Sequence, residues 1–217
     1  MGDAKTNREA ACSNLIGAGQ VLRFFCLFML VFVPLMVLWP WLQASYSKIY
    51  RVGGTFLFGS SCSNGIVQFC KSNDLEYDVE IHIFNRDEAR KTGKVVRHST
   101  CYGEYINIAF LTALILATPI SCKRRAKALF WGLILLNIFF VFRLAVLVIF
   151  HFSTEPVSIF VLTPFWERMW SIIYREFVVN CIFGFIASIF IWILVSFRRD
   201  DWNRILMRGN GLSSKIQ

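Results

Sequence analysis

Four long apolar stretches constrain the fold of this chain more than any other feature. Residues 21–43, 105–121, 128–150 and 177–197 are mostly apolar, and each approaches or exceeds the length needed to cross about 30 Å of hydrocarbon. The chain is 56% hydrophobic, which leaves too much apolar surface for a soluble domain to hide. Each stretch is predicted to be a helix, because backbone groups in a bilayer must bond within their own segment. The predicted fold is therefore mainly α and integral to the membrane.

Basic residues in the short flanks predict the orientation of these helices. Residues 122–127 form a basic loop between the second and third stretches, and residues 198–208, which follow the fourth, contain four arginines. Short basic flanks remain on the cytoplasmic side, so both termini are predicted to be cytoplasmic in a multi-pass protein of the inner or plasma membrane. This bias and nearby anionic lipid account for most of the net charge of +9. Nucleic-acid binding is not predicted, since no recognised nucleic-acid motif accompanies the charge.

The first stretch is predicted to be a retained anchor. Basic residues precede it as in a signal peptide, but its apolar core exceeds about 7–15 residues and no good cleavage site follows. Pro34 and Pro40 are expected to kink it or end it near the far interface.

The stretches divide the chain into five parts. Residues 1–20 are a cytoplasmic tail, 21–43 the anchor and 44–104 an external β-rich domain. Residues 105–197 are a three-helix transmembrane core with an external loop at 151–176, and 198–217 are a basic cytoplasmic tail. The predicted architecture is a four-helix transmembrane bundle with a small external β-rich domain inserted after the first helix.

Alternation of apolar and polar residues predicts strands in the external domain. Odd positions from 75 to 83 are apolar and most even ones are charged, which indicates a half-buried strand. Residues 94–98 are a candidate partner strand, 65–70 another strand, and 55–58 a shorter stretch bounded by glycines. A domain of about sixty residues buries little core and should need support from the membrane helices. Residues 157–166 are too short to span and are predicted to be interfacial or re-entrant, roofing the outer side.

Three of the seven cysteines fall outside the membrane in this topology. Cys62 and Cys70 are the natural disulfide pair if the outside is oxidising, which leaves Cys101 as an unpaired external thiol.

Arg143 is a charge inside a stretch of about two dozen otherwise uncharged residues. Such a charge costs at least about 2.5–3.5 kcal/mol at mid-bilayer, so it normally faces a protein interior and has a function there. Cys101, Arg143 and Arg175 all fall on the outer side in the predicted topology. Neighbouring cations would lower the pKa of the thiol, and an arginine could stabilise the oxyanion of an attacked peptide carbonyl. The predicted catalytic residues are therefore Cys101 as nucleophile with Arg143 and Arg175.

Other interpretations of the same residues remain open. Cys101 could be a structural thiol, Arg143 could pair with Asn137 or a helix-end carbonyl, and Arg168 competes with Arg175. His98 could act as a base for Cys101, although a separation of three residues in a strand points two side chains to opposite faces. The histidines and cysteines do not match a familiar zinc spacing, so neither a metal nor a cofactor is predicted.

The sequence around these residues resembles the core of the exosortase and archaeosortase family. The resemblance consists of Cys101-Tyr102-Gly103, an apolar span, the basic turn Lys123-Arg124-Arg125, and an apolar run into Arg143-Leu144-Ala145. It covers about residues 100–195 and implies a multipass cysteine transpeptidase, with Cys101 and Arg143 at two of the three pattern positions and Arg175 as candidate for the third. It also implies an exported protein substrate carrying a C-terminal sorting segment.

Two other functions fit the sequence. The first is a non-enzymatic membrane scaffold or component of export or envelope assembly, acting through the external β-rich domain. The second, a transporter, is less favoured because the spans show no repeat and no mid-membrane polar cluster beyond Arg143 and Asn137.

Overall fold

The computed structural model describes residues 3–59, 65–74, 76–85, 93–155, 157, 159 and 162–196. Cys62 and the basic tail 198–217 lie outside the described residues. The chain is mainly helical with one small antiparallel sheet. The elements in chain order are α1 (Asp3–Val37), α2 (Trp39–Phe58), β1 (Gly65–Lys71), β2 (Val79–Asn85), β3 (Gly93–His98), α3 (Ile106–Ala117), α4 (Cys122–Ser153), α5 (Pro164–Tyr174) and α6 (Ile182–Ser196). A single π turn precedes α3 at Cys101–Tyr105, and a second follows α5 at Arg175–Val179.

The lengths of the apolar helices match the predicted spans only in part. Within the described part of the chain, α4 is the one helix that is long and apolar enough to cross a membrane. The number rises to three if each of two bent pairs is one span: α1 with α2, bent by 69°, and Pro164–Val179 with α6, bent by 73°. Cys101–Ala117 is a shorter apolar helix.

Two predicted loops are helical in the structure. The basic residues 122–127 form the first turns of α4, because lysine and arginine are good helix formers whose long side chains extend readily to water. The helix of the second apolar segment, α3, ends at Ala117 and not at residue 121 as predicted. Residues 118–121 connect it to α4. The predicted external loop 151–176 contains α5. This helix begins at Pro164, inside the segment 157–166 that the sequence predicts to be interfacial or re-entrant.

The segment predicted as β-rich, 44–104, starts with a helix. α2 continues to Phe58 and includes the short stretch 55–58. Pro40 is the second residue of α2, in the first turn of the helix. A proline is tolerated there because the backbone N–H groups of the first turn have no partner within the helix. Only the second half of the segment forms the sheet.

The sheet has the order β1-β2-β3 and confirms the predicted alternation over residues 79–83, although β2 begins at Val79 and not at residue 75 as predicted. Val79, Ile81 and Ile83 are fully buried, while the residues between them are partly exposed. In the register of the sheet, Ile81 lies opposite Phe69 on β1 and Val96 on β3. The buried face packs on the end of α4 through Leu144, Leu147, Val148 and Phe152. The helix therefore supplies the core that the small sheet lacks.

α3 is the central helix of the membrane-side core. It is apolar on all sides, which is typical of a buried helix, and Leu111, Ala113 and Ile115 are fully buried. It packs on α1 through Phe28 and on α4 and α6 through Leu136 and Trp192. Its N-terminal end lies close to the sheet, and this end carries Cys101.

Two adjacent glycines of α2 are expected to respond oppositely to substitution. A Cβ on Gly54 would lie 2.7 Å from ring atoms of the buried Phe69, whereas one on Gly53 would meet nothing within 4 Å. We expect Gly54→Ala to lower the free energy of unfolding by about 1–3 kcal/mol through overpacking. Gly53→Ala should raise it by up to about 1 kcal/mol through helix propensity. Thermal unfolding of the two variants in detergent checks this, and equal shifts would contradict the packing of α2 on β1.

Candidate functional site

Cys101 begins the first π turn, and the backbone just before it is fixed from the sheet side. Asp78, one residue before β2, accepts hydrogen bonds from the backbone N–H of Thr100 at 2.8 Å and from the hydroxyl of Thr100. Thr100 is fully buried. The N–H of Ile106 donates to the carbonyl of Cys101, five residues back, and this bond defines the π turn. The carboxylate of Asp78 therefore anchors the helix start that carries the thiol.

Arg143 joins the two π turns. Its side chain is buried, with 6% of the residue exposed. Nη1 donates to the carbonyl of Gly103 at 3.0 Å, and Nη2 donates to the carbonyl of Val178 at 2.8 Å. Gly103 belongs to the turn that begins at Cys101, and Val178 to the turn that begins at Arg175. The three predicted catalytic residues thus belong to one connected backbone unit.

The side chains of the other two predicted residues point away from Arg143 in this state. Cys101 packs at the edge of a cluster with Trp39, Tyr105 and Ala109. Arg175 is 71% exposed in its side chain, and its Nε donates to Glu176 at 3.1 Å. Arg168, the competing candidate, is exposed on α5. The structure connects the three positions through the backbone but does not bring the thiol and the two guanidinium groups into contact.

The alternative partner predicted for Arg143 is not the one observed. The amide Nδ2 of Asn137 donates to the carbonyl of Leu133 at 2.8 Å, one turn back on α4. The partners of Arg143 are instead backbone carbonyl groups. This agrees with the other predicted alternative, a carbonyl at a helix end. Asn107 also donates to the carbonyl of Gly103, at 2.9 Å, so this oxygen accepts two hydrogen bonds.

A largely buried pair, His98 with Glu104 of the first π turn, was missed from the sequence. Nε2 of His98 lies 3.0 Å from both carboxylate oxygens of Glu104, and 4% of Glu104 is exposed. The imidazole stacks on Tyr50 with ring centroids 5.5 Å apart, and it packs directly over Gly103. The partner of His98 is therefore Glu104, which places the imidazole against the turn that carries Cys101. The signal in the sequence that could have indicated this pair is Glu104 itself, a single acidic residue directly before the apolar stretch 105–121.

The charges around these groups set the pKa directions. Burial and the nearby carboxylate of Asp78 raise the pKa of the Cys101 thiol. For His98, burial lowers the pKa, but the charge and hydrogen bond of Glu104 raise it, and the net direction is upward. The resting site therefore holds a protonated thiol and favours an imidazolium–carboxylate pair. The predicted lowering of the thiol pKa by arginine is not observed in this state.

A variant at Asp78 is expected to make Cys101 more reactive. In a protein whose other six cysteines are replaced, the wild-type thiol should be alkylated slowly at pH 7, with the rate rising steeply only above pH 9. Asp78→Asn removes the carboxylate charge that disfavours the thiolate, so the apparent pKa should fall and alkylation at pH 8 should accelerate. Alkylation rates from pH 6 to 10 test this, with Asp74→Asn as the control. An unchanged profile would contradict the influence of Asp78.

A cleft of about 230 Å³ lies between α2 and α4 and reaches Glu104. Its other lining residues are mostly apolar and include Tyr46, Tyr50, Asn137 and Leu144. The cleft could hold an apolar segment beside the His98–Glu104 pair.

Among the residues that the structure describes, no three His, Cys, Asp or Glu side chains are grouped to hold a metal ion. Cys70 is not bonded to another described cysteine, and its predicted disulfide with Cys62, which lies outside the described residues, stays a prediction.

No protein-family model, curated protein or solved structure matches this chain.

Proposed function

We propose that the chain is an exosortase-like cysteine peptidase or transpeptidase that processes sorting segments of exported proteins at the outer face of a membrane. The observation that supports this most is the bridge made by Arg143 between the turns that begin at Cys101 and at Arg175. Turns of π-helix are frequent at functional sites, since the extra residue frees backbone carbonyls. Two such turns held by one buried arginine are a costly arrangement, which favours a functional role for the unit.

The proposed membrane arrangement is a four-helix bundle of α1, α3, α4 and α6. The most apolar 18-residue window of α4 has a mean hydropathy of 2.8, and α4 exposes Phe130, Trp131 and Ile138. Such large exposed apolar side chains need an apolar environment. The basic start of α4 and the basic C-terminal tail lie in the cytoplasm, so the sheet and Cys101 lie on the outer side.

The proposed reaction starts from a protonated thiol. The carboxylate of Asp78 helps to keep the thiol protonated in the free protein, and the proton of Cys101 passes to water at the outer surface as the sulfur attacks the substrate carbonyl carbon. The peptide C–N bond then breaks, the amine leaves with a proton, and a thioester remains on Cys101. Water or another nucleophile attacks the thioester and restores the thiol.

The two arginines have different roles in this proposal. Both terminal nitrogens of Arg143 are bonded to carbonyls, so Arg143 acts as a positioning residue that holds the two turns together. Arg175 is exposed and stabilises the oxyanion once it exchanges Glu176 for substrate. An imidazolium at His98 adds positive charge next to Gly103 in the same turn.

A non-enzymatic scaffold is the second candidate, and it is favoured by the edge of the sheet. β3 pairs with β2 alone among the described strands, and Val95 on it is 48% exposed. Such an edge can accept a strand from another protein. Val95→Lys with Cys101 intact separates the two functions: loss of partner capture with normal cleavage would favour the scaffold.

Mass spectrometry of protein C-termini in the source organism tests the proposed activity. In cells that carry Cys101→Ala, we expect exported proteins to retain C-terminal segments that are removed in the wild type. Cys122→Ala is the matched control, because this exposed cysteine begins α4 and lies far along that helix from Arg143. Identical C-termini in all three strains would contradict a catalytic role for Cys101.

A further inference from the structure

α2 has one face against the sheet and an opposite face that is apolar and exposed. Tyr50 and Gly54 face β1, where both contact Phe69. On the other side, Ile49 is 71% exposed and Phe56 is 84% exposed. At 100° per residue, the exposed residues Trp41, Ser45, Ile49, Val52 and Phe56 fall within an arc of about 80°. The arc is exposed, and Ile49 at its edge also lines the cleft between α2 and α4.

One flank of this apolar arc is basic. Lys48 and Arg51 follow one another at helical spacing, between the apolar arc and the face that packs on β1. They line an open groove of about 490 Å³ between α2 and β1 with Val52, Thr55, Phe56 and Phe69. Positive charge beside exposed aromatic and aliphatic side chains complements a phosphate attached to an acyl chain.

The bend between α1 and α2 sets the orientation of α2 relative to the membrane. If α1 crosses the membrane, the angle of 69° puts α2 within roughly 20° of the membrane plane. The axis of its 20 residues, about 30 Å long, then rises only about 10 Å. Val33 and Val37, near the end of α1, are exposed as well.

We propose that α2 lies in the outer membrane–water interface, with its apolar arc in the acyl region and Lys48 and Arg51 on the phosphates of anionic phospholipids. A helix with an apolar face and a basic flank binds a lipid surface in this way. Because α2 packs on β1, its position in the interface sets the depth of the sheet, and with it that of Cys101, relative to the membrane surface. This inference rests on the membrane placement in the proposed function.

Spin-label accessibility on the full-length protein tests the placement. Single-cysteine variants at Phe56, at Ile138 on α4 and at Gln68 on the exposed face of β1 are made with the native cysteines replaced. They are reconstituted in vesicles of phosphatidylcholine and phosphatidylglycerol. We expect the label at position 56 to be accessible to oxygen and protected from a water-soluble nickel chelate, at a shallower depth than at 138. The label at position 68 should be accessible to nickel.

The outcomes separate this inference from the proposed function. If position 56 is as accessible to nickel as position 68 while 138 is protected, α2 is not interfacial and the inference fails alone. Nickel access at position 138 would overturn the membrane placement and the inference together.

A second measurement tests the phosphate contacts. Lys48→Gln/Arg51→Gln should lower the preference for spin-labelled phosphatidylglycerol over phosphatidylcholine by about fivefold per charge at this site. Lys94→Gln/Arg97→Gln, on β3, removes the same charge from the sheet and should leave the preference unchanged. Equal effects of the two double variants, or none, would overturn the assignment of Lys48 and Arg51.

Discussion

Replacing Arg143 by methionine is expected to lower the free energy of unfolding by about 3–5 kcal/mol. The guanidinium donates a buried hydrogen bond to the carbonyl of Gly103 and a partly buried one to the carbonyl of Val178. A hydrogen bond to a charged group contributes about 1.5–3 kcal/mol, and methionine leaves the partly buried carbonyl of Val178 without this donor. Methionine keeps most of the side-chain volume, so the loss reports the polar contacts rather than a cavity. Thermal or denaturant unfolding in detergent measures it.

Arg175→Gln is the matched control for this prediction. Arg175 has the same side chain, but it is largely exposed and bonded only to the adjacent Glu176 in the described contacts. Exposed ion pairs contribute between about 0 and 1 kcal/mol, so the stability should barely change. A stable Arg143→Met variant would contradict the bridge between the two π turns.

Glu104→Ala is expected to cost a similar amount, about 3–5 kcal/mol, near pH 6. Removing one member of a buried ion pair leaves the other charge without its partner, in this case the imidazolium of His98. Glu104→Gln should cost less, because an amide oxygen can still accept a hydrogen bond from the imidazole. Unfolding midpoints of the wild type and both variants, measured at several pH values, test the pair.

The pH dependence follows from the raised pKa of His98. A group whose pKa is higher in the folded state contributes its full stability below its unfolded pKa, about 6.5 for histidine, and loses it as the pH rises through the folded value. The destabilisation by Glu104→Ala should therefore be largest near pH 6 and shrink towards pH 9. A cost that grows with pH would contradict a charged His98 at the site.

The sheet could be predicted from the sequence because its signal is local. Val79, Ile81 and Ile83 alternate with polar residues, and one buried face of a strand requires this period. α2 was missed because Gly53 and Gly54 are usually read as breaks. In the structure Gly54 provides room for the ring of Phe69, a contact between distant parts of the chain that no local pattern encodes.

The candidate site was predicted at the level of positions but not of contacts. The topology placed Cys101, Arg143 and Arg175 near one end of the helices, and Arg143 does join the turns that begin at the other two. Its partners are backbone carbonyls at π turns, and π turns have no clear sequence signature. His98 ends a strand and Glu104 lies in a helical turn, so neither the strand period nor the helix period relates the two side chains.

Interception of the acyl intermediate tests the proposed role of Cys101 most directly. Hydroxylamine added outside intact cells should attack a thioester on Cys101 and release exported proteins with a C-terminal hydroxamate, which mass spectrometry detects. We predict hydroxamate-terminated proteins in the wild type and in Cys122→Ser, and none in Cys101→Ser. Normal removal of C-terminal segments in the Cys101→Ser strain, with no hydroxamate in any strain, would contradict the assignment of Cys101 as the nucleophile.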